Sequence, residues 1–133
     1  MKQNLFVYGT LIKEFAPSEI AETVAKLKYV GEGFVYGSLY DLGEYPGAIL
    51  SGLPKSKIFG RVYQIPSNTD VLQKLDSYEG FYSLDSLNNL FVRKETIISL
   101  INGKKIKGWF YEYNGSVNSS NLIKSGDYSK VAA

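Results

Sequence analysis

Asn102-Gly103 stands between two strand-like runs, Val92 to Ile101 and Lys104 to Tyr113. Asn-Gly between apolar runs is the strongest short-range signal for a β-hairpin, because both central residues of the tight turn adopt positive φ. This part of the chain is therefore committed to antiparallel sheet. Further strand character lies at Leu5 to Tyr8, an apolar run that meets a turn at Gly9, and at Tyr29 to Tyr40, Ala48 to Leu50 and Ile58 to Ile65. Gly31, Gly33 and Gly37 mark bends or close backbone approach in the second of these runs.

Two segments carry helical spacing instead. Residues 18–28 place Ile20, Val24 and Leu27 on one face, with Pro17 suited to the first turn. Ser67 and Asp70 open a second helix in capping style; Val71, Leu72, Leu75 and Tyr78 are its apolar members, and Gly80 stops it. Asp41 to Gly47 reads as a turn-rich loop and Asn114 to Ser120 as a polar one. Leu122 to Tyr128 is expected to dock back on the sheet, and residues 130–133 to fray. Strands outnumber helices without alternating regularly with them, which predicts an α+β fold built on a small, mainly antiparallel β-barrel. At 133 residues, the chain is expected to form one domain, residues 1–133.

Phe6-Val7-Tyr8-Gly9-Thr10-Leu11 is echoed by Phe34-Val35-Tyr36-Gly37-Ser38-Leu39. Two short copies do not make a repeat architecture. The first runs from a strand into a loop, whereas the second continues through Tyr40 as mid-strand.

Composition narrows the chemistry. The net charge of +2, from 15 basic and 13 acidic residues, is too mild for a nucleic-acid surface. Lys104, Lys105 and Lys107 cluster beside the hairpin turn, where a solvated tip is their ordinary role. Neither a signal peptide nor an apolar span is evident, so a cytoplasmic location is the expectation, with no membrane partner. There are no histidines and no cysteines. The commonest general base, the thiol nucleophile and the usual zinc ligands are thus missing, and catalysis must run on carboxylate, hydroxyl, Lys, Arg or backbone groups. Tyrosine is abundant, 11 residues against 7 Phe and 1 Trp, and suits strands that also line a polar cavity.

Four short constellations could carry function. Tyr8-Gly9-Thr10-Leu11 breaks a strand at glycine, which lets successive backbone N–H groups converge on an anion; an ordinary strand-to-loop turn would look the same. Glu79, four residues after Leu75 and seven after Leu72, would share their apolar helix face, flanked by Tyr78, Phe81 and Tyr82. Burial would push its pKa toward neutrality and suit it to proton transfer; the alternative is a helix-end acid with its tip in water. Asp76 is the competing acid, with a neighbouring lysine such as Lys74 as a possible partner. Tyr45-Pro46-Gly47-Ala48 is either a pocket wall or a turn, and Arg93 either grips a carboxylate or forms a structural ion pair.

Taken in order, these strings resemble the gamma-glutamylcyclotransferase-like family, which includes gamma-glutamylamine cyclotransferases and plant avirulence-induced (AIG2-like) relatives. Phe6 to Leu11 resembles its N-terminal Tyr-Gly-Ser/Thr-Leu loop, Gly43 to Ala48 its Tyr-Pro segment, and Phe59 to Tyr63 its Gly-x-Val/Ile-Tyr strand. Leu75 to Gly80 resembles the segment with the catalytic Glu, Arg93 the Tyr-x-Arg strand, and Ser125 to Tyr128 the Ser-Gly-Asp-Trp string. Phe91 replaces a common Tyr, Tyr128 a common Trp, and Thr10 a Ser.

The resemblance implies two helices packed outside the barrel, a pocket at one side, and conversion of a gamma-glutamyl compound to 5-oxoproline with release of an amine or amino acid. It implies Glu79 as general acid and base, and Tyr8, Gly9, Thr10, Leu11, Tyr45 and Pro46 as substrate-binding residues. No cofactor or metal is implied. The alternative is a non-catalytic small-molecule-binding or regulatory module with the same pocket.

Overall fold

The structure is a computed structural model that describes residues 3–9, 17–51, 55–67, 69–81 and 89–128. In chain order the elements are β1 (Gln3–Val7), α1 (Ser18–Val24), β2 (Lys28–Asp41), β3 (Pro46–Leu50), β4 (Lys57–Ile65), α2 (Val71–Tyr78), β5 (Phe91–Leu100) and β6 (Lys105–Tyr113), with a 3₁₀ turn at Ser119–Asn121. The sheet runs β3-β2-β4-β1-β6-β5, and β2 pairs again with β5 through Gly33↔Leu100 and Phe34↔Ser99. That second pairing closes β2, β4, β1, β6 and β5 into the expected small barrel, with β3 attached outside the ring on β2. All described strand pairs are antiparallel except β1 with β6.

β2 is long enough to change partners. Lys28 to Tyr36 pair with β4, with a register shift between Tyr29 and Gly31, and Gly37 to Asp41 pair with β3. β3 takes in Pro46 and Gly47, which the sequence placed in the preceding loop. The β5–β6 hairpin turns at Asn102-Gly103 as expected: Gly103 has φ +93°, and the Asn102 side chain accepts the Lys104 N–H at 2.9 Å.

β1 explains its own composition. Leu5, Phe6 and Val7 are all buried, since a strand with both faces covered needs apolar residues at every position. Phe6 joins Val35, Leu39, Ile58, Val62, Ile98 and Phe110 inside the barrel. Leu5 and Val7 face outward with Tyr63 and Ile65, where Ile20, Val24 and Leu27 from the α1 segment and Val71 and Leu75 from α2 cover them. Each such aliphatic side chain withdrawn from water is worth ~1.5–3 kcal/mol. The two helices therefore form a layer outside the barrel.

Helix entry differs in detail from expectation. Pro17 is the N-cap of α1 in extended conformation, and its carbonyl accepts the Ile20 and Ala21 N–H groups. Asp70 occupies the N-cap position of α2 without capping it; its carboxylate lies 3.4 Å from Lys74 one turn on. The tail docks as expected. Ile123 N–H bonds to the Leu39 carbonyl, the Gly126 carbonyl accepts Phe59 N–H, and Tyr128 packs against the barrel interior. Among the described residues no helix is long and apolar enough to cross a membrane.

Candidate functional site

Three chain breaks meet at one end of β1. The strand ends at Val7 and leads to Tyr8 and Gly9, both buried. β3 begins beside them at Pro46, whose ring packs against Gly9 with no space for a side chain there. α2 stops at the same level because Gly80 adopts φ +71° and its carbonyl accepts the Leu90 N–H. Glu79 is thus the C-cap of α2, in right-handed helical conformation, with its N–H on the Leu75 carbonyl. It is therefore presented at the helix end, one turn beyond Leu75 and on the same side of the helix.

These breaks enclose a cavity of about 340 Å³, the lower end of the range for small-molecule sites. Tyr8 and Gly9, Tyr45 and Pro46, Tyr78 and Glu79, and Phe91 and Tyr111 all line it, together with Glu19 and Glu44. Four of the six expected substrate-binding residues, Tyr8, Gly9, Tyr45 and Pro46, line the same cavity as Glu79; Thr10 and Leu11 lie outside the described residues. Tyr82, expected beside Glu79, also lies outside them.

The Glu79 carboxyl has no hydrogen-bond partner among the described residues. Burial disfavours its charged form and the nearby Asp76 charge acts in the same sense, so its pKa is pushed up to about 8. Tyr8 is buried and donates its hydroxyl proton to the Tyr111 carbonyl. Its pKa is raised well above the ordinary tyrosine value, first by burial and then by the Glu79 charge.

Asp76 is not paired with Lys74, which is engaged with Asp70. Its Oδ1 accepts the Arg93 Nε–H at 2.8 Å and the Tyr111 hydroxyl at 2.7 Å. The Arg93 guanidinium lies over the Trp109 ring, 4.2 Å from its centroid, with Phe81 beyond at 5.6 Å. Of the two readings of Arg93, the structural ion pair is the observed one. Asp76 and Arg93 do not line the cavity, but Tyr111, which joins them to it, does. Sequence reasoning missed Tyr111: it sits in the alternating run Phe110-Tyr111-Glu112-Tyr113, where nothing distinguishes it from the other tyrosines. Phe91, the departure from the family Tyr, contributes a buried ring to the cavity, stacked at an angle against Tyr45 and Tyr113.

A closed mixed barrel with an outer helical layer and a side cavity lined by Glu79, whose carboxyl has no hydrogen-bond partner among the described residues, defines the class: a small α+β barrel protein with a pocket sized for one small molecule. The chain belongs to the gamma-glutamyl cyclotransferase, AIG2-like family, whose model matches residues 5–130. No curated protein sequence matches it. Among solved structures, it is similar in fold to an uncharacterised protein of Pyrococcus horikoshii, at 20% identity and a TM-score of 0.66, over 98% of this chain and 92% of that one. An AIG2-like protein (GGACT) of Mus musculus matches at 18% identity and a TM-score of 0.69, over 96% and 88%. YkqA of Bacillus subtilis matches at 22% identity and a TM-score of 0.72; 98% of this chain spans 40% of that one.

Proposed function

We propose that this protein is a gamma-glutamyl cyclotransferase of the lyase or acyl-transfer type, with Glu79 as its general acid and base. The substrate's own α-amine attacks its γ-carbonyl carbon. A new C–N bond closes the 5-oxoproline ring, and the bond to the departing amine or amino acid breaks. The nucleophile arrives with the substrate, which suits a chain with no histidine or cysteine. The match over residues 5–130 supports reading the chain as one catalytic domain.

The reaction asks two things of the protein. It must fold the substrate so that amine and carbonyl meet, a contribution of ~7–11 kcal/mol when the geometry is right. In this reading, backbone N–H groups of the Tyr8 to Leu11 segment hold the α-carboxylate, while Tyr45 and Pro46 wall the chain of the ligand. It must also move protons from the attacking nitrogen, which goes from ammonium to lactam N–H and so loses two, to the leaving nitrogen, which departs as an ammonium and so gains two. Glu79 takes each proton as the carboxylate and returns it as the acid. The observation that carries the proposal is the Glu79 carboxyl itself: raised to about 8, in a cavity, with no described hydrogen-bond partner. A group so placed changes protonation near neutral pH at little cost.

The test is a panel of gamma-glutamyl amino acids, amines and isopeptides, followed by 5-oxoproline release. Turnover is expected with at least one, and Glu79→Gln is expected to lower kcat by ~10²–10⁴-fold while remaining folded. Undiminished release from a folded Glu79→Gln protein removes Glu79 from the mechanism. Tight binding without release by the unsubstituted protein identifies a binding module instead.

A further inference from the structure

Tyr111 is a cavity residue whose proton is already committed. Its hydroxyl donates to Asp76, behind the cavity wall, at 2.7 Å. A phenol has one proton and otherwise offers only acceptor capacity. What the Tyr111 oxygen has left to offer a ligand is therefore lone-pair density. Tyr8 is committed in the same manner, its proton going to the Tyr111 carbonyl. Ionised Glu79 accepts only, and no Lys or Arg lines the cavity among the described residues. These three side chains are matched to a ligand group that donates.

The orientation is held from behind. The Asp76 oxygen that receives the Tyr111 proton also receives Arg93 Nε–H at 2.8 Å, and Arg93 is kept in place by the Trp109 ring under its guanidinium. A charged acceptor also polarises the phenol and makes its oxygen a better acceptor in turn. Burial and the Asp76 bond raise the Tyr111 pKa far above the ordinary tyrosine value, so the hydroxyl keeps its proton.

We infer that Tyr111 is a substrate-binding residue that accepts a hydrogen bond from the ligand's α-ammonium, and that Asp76 is the positioning residue that aims the Tyr111 hydroxyl for this contact. The inference rests on the gamma-glutamyl reading for the identity of the ammonium. When Glu79 removes one ammonium proton, a remaining N–H stays on Tyr111 and the nitrogen lone pair is free to attack. Tyr111 itself neither gains nor loses a proton.

The test separates binding from turnover. In the Glu79→Gln protein, calorimetric titration compares γ-glutamyl methylamide with glutaric acid mono-methylamide, which lacks only the α-amine. The amine-bearing compound is expected to bind about tenfold or more tightly, the scale of a hydrogen bond to a charged group. Adding Tyr111→Phe is expected to bring the ratio to within about threefold of unity. Asp76→Asn keeps the hydroxyl but removes its charged acceptor, and lowers the ratio by less; it carries the test if the Phe variant does not fold. A ratio unchanged in either folded variant overturns the inference and leaves the proposed reaction standing. Binding of neither compound overturns both.

Discussion

Pro46 Cγ lies 2.5 Å, and its Cδ 2.9 Å, from the point where a β-carbon on Gly9 would stand. Neither side can yield easily: both residues are buried, and Pro46 is pinned in the sheet opposite Asp41. Gly9→Ala is therefore expected to cost about 1–3 kcal/mol, the usual penalty for overpacking. It should also push apart two cavity walls, raising KM for the proposed gamma-glutamyl substrate more than it lowers kcat. Urea denaturation and steady-state kinetics check the two effects, and unchanged stability would show that the wall is looser than this contact implies.

Under the proposed mechanism, Glu79 is expected to set the pH dependence of turnover. With its carboxylate as the base and a pKa of about 8, kcat/KM should rise with pH along a limb centred there. The substrate ammonium titrates as well, so the enzyme group is identified by moving it. Asp76→Asn removes the neighbouring negative charge that helps raise Glu79, and the limb should shift to lower pH. A limb near the ordinary carboxylate value in the unsubstituted protein would contradict the assignment.

The same carboxyl links stability to pH. Its folded pKa, about 8, exceeds the ordinary 4.5, so between these values the folded protein holds a proton that the unfolded chain has released. This contribution is present in full below the lower value and is lost as pH rises through the upper one. Glu79→Gln has no charge to bury. Its stability relative to the unsubstituted protein should improve steadily across that window and then level off. Denaturant midpoints at a series of pH values measure the trend; a constant difference would mean that Glu79 titrates normally.

Arg93 is expected to matter for stability through Asp76. Both side chains are mostly buried, at 19% and 17% exposure, so Arg93→Gln leaves a carboxylate short of one charged donor. The expected loss is about 2 kcal/mol, in the range for hydrogen bonds to charged groups. Arg93→Lys should recover only part of it, because lysine lacks the planar group that stacks on Trp109. Combining Arg93→Gln with Asp76→Asn should cost less than the sum of the single changes. Additive losses would show that the pair is not coupled.

Much of the fold was legible. The hairpin at Asn102-Gly103, the stop at Gly80 and the break at Gly9 follow from backbone sterics, which glycine relaxes wherever it stands. Helical spacing marked the buried faces of α1 and α2, and the docking tail was anticipated. Legibility failed where a polar side chain chose among partners. Asp70 read as a cap and instead faces Lys74; Asp76 read as a partner of Lys74 and instead holds Arg93 and Tyr111. The uninterrupted apolar run in β1 announced burial without saying that Phe6 would face the barrel and Leu5 and Val7 the helices.

The sequence by itself determined the elements, their turns and the presence of an acid at the end of a short helix, because each of these depends on residues within a few positions of one another. Tertiary structure decided which chain breaks share a cavity, that Glu79 lies at its edge, and that Tyr111 joins that cavity to Asp76 and Arg93. Those relations depend on strand register and barrel closure, which bring residues distant in sequence within hydrogen-bonding reach. A pKa raised by burial exists only once that packing has removed the water.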